Sequence, residues 1–109
     1  MMSLDDDQLL FKGENGYIIY KTFQNECYID YVFIDKTFRE RGFGTKLIND
    51  FIDNISECNM FFLEALYNKD KNEGSSLDLS KLVQFYENLG FQKEKIIYDE
   101  MVVQMRKVI

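Results

Sequence analysis

Apolar positions along the chain fall into two regimes, short runs of strand length and two longer stripes spaced for a helix. Gln8 to Lys12 predicts a short first strand, and Gly13-Glu14-Asn15-Gly16 a turn. Tyr17 to Phe23, centred on Ile18, Ile19 and Tyr20, predicts a second strand. After Gln24-Asn25-Glu26, Cys27 to Ile34 predicts a third, so the first three strands read as an antiparallel meander. Asp35 to Phe43 is charged and ends in Gly42-Phe43-Gly44, which suits neither a strand nor a helix. Thr45 to Glu57 then carries apolar residues at 47, 48, 51, 52 and 55, the stripe of an amphipathic helix.

Met60 to Tyr67 (MFFLEALY) is almost continuously apolar. It predicts an internal strand buried on both faces and parallel to a neighbour. Asn68 to Ser76 is a polar loop. Asp78 fits the N-cap of a second helix with Leu79, Leu82, Val83, Tyr86 and Leu89 on one stripe and Gly90 just past its end. Phe91 to Ile97 and Met101 to Arg106 are the last two strands. The order β-β-β-α-β-α-β-β requires a right-handed strand–helix–strand crossover and one parallel pair. The fold expected is a mixed-sheet α/β (α+β) sandwich, mostly antiparallel, with two helices packed on one sheet.

Composition narrows the function. The 109 residues correspond to a single domain, 1–109, and the content of 46% apolar and 16% aromatic residues argues against disorder. Histidine is absent, which removes Ser-His and Cys-His nucleophilic devices and histidine metal sites. Cys27 and Cys58 form no CxxC pair, so no metal site or disulfide framework is expected and the thiols read as reduced core residues. The net charge of −6 disfavours nucleic acid and favours a cationic partner. The acidic start MMSLDDD is unlike a secretory signal, and no apolar run approaches the ~20 residues of a membrane span, so a cytoplasmic protein is expected. Monomer and homodimer both stay open.

Arg39-Glu40-Arg41-Gly42-Phe43-Gly44 lies between a strand and a helix. Gly42 and Gly44 allow a tight turn and close backbone approach to a ligand. The amides of the helix start, with Arg39 and Arg41 beside them, would make an anion cradle of pyrophosphate size. The spacing is neither that of a nucleotide P-loop nor that of a dinucleotide fold.

RERGFG after YIDYVFID resembles the R/Q-x-x-G-x-G/A pyrophosphate loop of GNAT N-acetyltransferases, and LVQFYENLGF resembles that family's second signature, a helix with a tyrosine before GF. The resemblance implies acetyl-CoA as cosubstrate and no metal. It implies cofactor contacts at Val32, Phe33 and Ile34 for the pantetheine arm and at Arg39, Arg41, Gly42, Phe43, Gly44 and Thr45 for the phosphates. It also implies Tyr86 as general acid for the leaving thiolate, whereas its stripe alone would read it as core. Two departures stand out. Leu79 and Ser80 occupy the region of a family Asn that contacts the cofactor, and the usual helical pair between the first strands is missing. The GYI-x-Y strand, the glycine loop and the FY helix resemble the very small, phage-encoded form of the family that acetylates a protein lysine.

An acceptor amine must lose its proton before attack. Asp30, expected to be buried in its apolar strand, and Glu64, which interrupts MFFLEALY, are the candidate bases, with an edge-facing or salt-bridged acid as the alternative for each. The function expected is N-acetyl transfer to a cationic amine, foremost a protein lysine. The alternatives are a polyamine or small-molecule acetyltransferase and a catalytically weak acetyl-CoA-binding or protein-binding inhibitor module.

Overall fold

A computed structural model describes residues 7–34, 42–55, 57–66, 79–97 and 102–109. The expected phosphate contacts Arg39 and Arg41 and the expected N-cap Asp78 lie outside them. The element order is β1 (Leu9–Lys12), β2 (Gly16–Phe23), β3 (Glu26–Ile34), α1 (Phe43–Asn54), β4 (Met60–Leu66), α2 (Leu79–Asn88), β5 (Gln92–Ile97) and β6 (Val102–Val108). The six strands form one mixed sheet in the order β1-β2-β3-β4-β6-β5, in which only β3 and β4 run parallel.

Both helices lie on one face of the sheet. Leu47, Ile48, Phe51 and Ile55 of the α1 stripe, and Val83, Tyr86 and Leu89 of the α2 stripe, share one core with Cys27, Ile29, Phe61, Leu63, Ala65 and Met105. Phe51 stands at its centre, edge-on to Phe11, Tyr20 and Phe61.

The other face carries no helix among the described residues, and this changes the reading of β4. Phe61, Leu63 and Ala65 are buried against the helices, whereas Phe62 is half-buried and Glu64 is exposed. The strand is therefore buried on one face only, because nothing described covers the second, and strict alternation applies.

Two features of β3 shape the middle of the sheet. Tyr20 pairs with Ile29 and Ile19 with Tyr31, which leaves Asp30 as an extra, bulged residue. Immediately after it, β3 and β4 part. They pair from Glu26↔Met60 to Ile29↔Leu63, while β3 runs on beside β2 to Ile34 and β4 beside β6 to Leu66.

Candidate active site

The parted strands are bordered by the start of α1, the end of α2 and a cleft on the helix-free face. The α1 start has the features of an anion site. Gly42 is its N-cap, with φ 81° in the left-handed region, no side chain caps the helix and no acid lies in its first turn. Among the described residues a Cβ at Gly42 would meet nothing within 4 Å, so none of them fills the space above this helix end. An uncapped positive helix end suits phosphate groups.

Gly44 has a different environment from the one its motif suggests. A Cβ there would lie 3.2 Å from Cζ of Phe85 and 3.9 Å from Cγ1 of Ile34. The absent side chain leaves room for an aromatic ring of α2. Thr45 is exposed and Phe43 half-buried on the same first turn. Of the expected pantetheine contacts, Val32 and Ile34 face the helices, with Ile34 buried in the core. Phe33 faces the other way and stacks on Tyr17 at 5.1 Å.

The second signature turns out to be a helix cap. Gly90, at φ 95°, donates its amide to the Glu87 carbonyl, and the Phe91 amide donates to the Tyr86 carbonyl. These are the two bonds of a Schellman motif, and the Phe91 ring packs edge-on against the Tyr86 ring at 5.8 Å, the apolar contact that accompanies it. Lys107 Nζ donates to the Leu89 carbonyl at 2.5 Å. Tyr, Gly and Phe at these spacings therefore fix the ring of Tyr86. Phe85 packs edge-on at 5.2 Å on its other side. Tyr86 is buried, at 8% exposure, and burial pushes its hydroxyl up to about 12.

On the helix-free face, a cleft of about 390 Å³ is lined by Tyr28, Asp30, Phe62, Glu64, Glu94 and Gln104 over a floor of Ile29, Leu63 and Met105. Asp30 and Glu64 thus lie in one cleft. Asp30 is not buried as its neighbours predict: as the bulged residue it escapes the alternation that buries Cys27 and Ile29. Its Oδ2 accepts from Gln8 Nε2 at 3.1 Å and lies 3.9 Å from Lys21 Nζ. Glu94 is 3.4 Å from Arg106 Nε. Glu64 accepts from the neutral amide of Gln104 at 3.1 Å, and no cation bridges it among the described residues.

Sequence reasoning missed Glu94, Gln104 and Phe85. Glu94 and Gln104 come from strands whose register is invisible before pairing is known, and Phe85 lies one residue off the apolar stripe. Among the described residues no group of three or more His, Cys, Asp or Glu could hold a metal ion. No described helix is long and apolar enough to cross a membrane.

A family model for the acetyltransferase (GNAT) domain matches residues 4–93. The chain belongs to the GNAT acetyltransferases. The domain is thus that of an acetyl-CoA-dependent N-acetyltransferase. No curated protein matches the sequence significantly. Among solved structures, the GNAT chain is similar to the anti-CRISPR protein AcrVA5, with 25% identity and a TM-score of 0.66 over 91% of this chain and 96% of that one. The ribosomal-protein-S18-alanine N-acetyltransferase of Escherichia coli shares its fold at 16% identity and a TM-score of 0.70, over 97% of this chain and 72% of the other. PaiA N-acetyltransferase of Thermoplasma acidophilum, in complex with coenzyme A, does so at 15% identity and a TM-score of 0.66, over 87% of this chain and 54% of the other.

Proposed function

We propose that this GNAT domain acetylates a lysine amine on a basic protein surface by direct attack in a ternary complex. The observation that carries the reading is the cleft: at the point where β3 and β4 part, the helix-free face gathers Asp30, Glu64 and Glu94, and although Lys21 and Arg106 stand beside the first and last, no cation bridges Glu64 among the described residues. Such a lining favours a cation. A face without described helices leaves room for a protein loop. The S18-alanine enzyme, which by its name acts on a protein amine, supports a protein acceptor.

The phosphates of acetyl-CoA would lie at the Gly42 end of α1, with Phe43, Thr45 and the arginines 39 and 41 around them and the backbone of 32–34 along the pantetheine arm. The bound cosubstrate supplies the acetyl group as an activated thioester. The chain's own residues then move two protons. Only about one lysine amine in 10³ is uncharged at neutral pH. Glu64 takes the proton from the acceptor nitrogen, whose lone pair forms the new C–N bond. Asp30 suits this less, because Lys21 already answers its charge. As the C–S bond breaks, the sulfur receives the Tyr86 proton, and the second proton that the nitrogen sheds on becoming an amide restores the Tyr86 hydroxyl. A hydroxyl near 12 is a weaker acid than a thiol near 8.5, so full transfer to the released thiolate is uphill by roughly 5 kcal/mol and needs the tyrosinate to be reprotonated at once. Tyr86 is on the helical side of the sheet and Glu64 on the other, and the transfer between them would take place where β3 and β4 part.

The test is intact-mass spectrometry of an acceptor panel incubated with enzyme and acetyl-CoA at equal concentrations: lysine peptides, a basic protein, spermidine, and uncharged and anionic amines. Single acetyl gains on lysine substrates support the reading. A neutral or anionic amine outcompeting all of them would refute it, and acetyl-CoA binding without transfer to any acceptor would favour the inhibitor module.

A further inference from the structure

Gly44 belongs to the motif expected to cradle phosphate, yet the space its side chain would fill is occupied by Phe85. The nearest heavy atoms to a Cβ there are Phe85 Cζ at 3.2 Å, Phe85 Cε1 at 3.6 Å and Ile34 Cγ1 at 3.9 Å, whereas a Cβ at Gly42 would meet nothing within 4 Å among the described residues. The two glycines therefore answer different demands. Gly42 supplies a left-handed N-cap open to a ligand. Gly44 supplies a notch in α1 for a ring of α2.

That ring does not end in the notch. Phe85 stands edge-on to Tyr86 at 5.2 Å and 69°, and Tyr86 stands edge-on to Phe91 at 5.8 Å and 71°. Tyr86 thus packs against two rings. Phe91 is fixed by the helix cap, while Phe85 is seated against the first turn of α1 at Gly44. A methyl group at position 44 requires the half-buried Phe85 ring to give by a few tenths of an ångström, and the ring it packs against is that of Tyr86.

We propose that Phe85 is a positioning residue: lodged in the notch at Gly44, it sets the Tyr86 hydroxyl relative to the helix end that takes the phosphates. The inference rests on the reading of Tyr86 as the proton donor. It assigns to Gly44 a role in turnover rather than in phosphate affinity. A methyl group at position 44 pushes Phe85, and Phe85 carries Tyr86 with it. A smaller side chain at position 85 makes room for that methyl.

The experiment is a double-substitution cycle of Gly44→Ala and Phe85→Leu, with kcat and the acetyl-CoA KM measured separately using a lysine peptide as acceptor. Gly44→Ala is expected to lower kcat about tenfold and leave the acetyl-CoA KM within twofold. Adding Phe85→Leu is expected to bring kcat back to the level of Phe85→Leu alone. A rise in the acetyl-CoA KM at unchanged kcat, or a loss that Phe85→Leu does not repair, overturns the inference and returns Gly44 to the phosphates. Should Gly44→Ala fail to fold, Phe85→Leu decides by itself. The ionisation of Tyr86, read at 295 nm as the difference from Tyr86→Phe in the same background, is expected to move down from about 12 toward the ordinary tyrosine value. An unmoved ionisation with unmoved kcat overturns the inference. Tyr86→Phe turnover within about twofold of wild type removes the tyrosine from the chemistry, whereas an essential tyrosine without rescue removes Phe85 alone.

Discussion

Asp30 and Glu64 sit on adjacent strands and line one cleft, yet their company differs: a lysine and an amide for the first, an amide alone for the second. If Glu64 is the base, Glu64→Gln lowers kcat at pH 7 by about 10²–10³-fold, while Asp30→Asn stays within about threefold. The Glu64→Gln deficit should shrink as pH rises toward 9.5, because more of the lysine is already uncharged. Steady-state rates across that range check both statements, and the opposite ranking would make Asp30 the base. Both acids were legible as candidates because each interrupts an apolar run. Their surroundings were not. Asp30 was expected to be buried, and only the bulge explains its exposure. A trace of that bulge does exist in the sequence: Cys27 and Ile29 share one parity and Val32 and Ile34 the other, and Asp30 stands where the alternation breaks.

At the scale of elements, α2 shows how a functional signature can be a folding device. Gly90 holds a left-handed conformation that L residues adopt at a cost, and a Cβ there would come within 3.1 Å of Lys107 Nζ. Gly90→Ala is expected to cost about 1–2 kcal/mol and lower the melting temperature by roughly 5–10 °C. It should also lower kcat, because the cap orients Tyr86; calorimetry and turnover on the same sample test the pair. At the start of α1, Gly42→Asp puts a carboxylate where the phosphates are expected, and titration calorimetry should find acetyl-CoA affinity at least tenfold weaker. Both helix stripes and the Gly90 stop follow from spacing and residue chemistry. The helix-free face of β4 does not, because an apolar run reads alike whether one or both faces are covered. The Glu in MFFLEAL, in phase with Phe62, was the one sign that no described element covers this face.

For the molecule as a whole, two buried groups set the alkaline limit. Burial, reinforced by neighbouring Cys58, pushes the Cys27 thiol from 9.0 up to about 12, and burial pushes Tyr86 from 10.0 up to about 12. Both keep their protons in the folded state after the unfolded chain has lost them. Stability is therefore unaffected below about pH 9 and falls between 9 and 12, by up to about 3 kcal/mol for Tyr86 alone. Denaturant midpoints from pH 8 to 11 should decline, and less steeply for Tyr86→Phe. The net charge of −6 gives a second whole-molecule expectation: turnover on basic peptides falls as salt rises from about 0.05 to 0.5 M, where screening shortens from roughly 14 Å to 4 Å. The strand and helix order and the parallel pair followed from pattern plus the right-handed crossover. The parting of β3 and β4 did not, since it depends on where two strands distant in sequence stop pairing.

That parting makes the sheet two three-stranded ribbons, β1-β2-β3 and β4-β6-β5, zipped together along only the first half of their shared seam. A half-open zip is a compliant joint in an otherwise stiff plate. Whatever wedges into its open half and bonds to both edges completes the missing rungs and turns two plates into one. Cosubstrate binding should therefore register as stiffening: amide exchange along residues 30–34 and 64–66 slows together on addition of coenzyme A, while the far strands β1 and β5 change little.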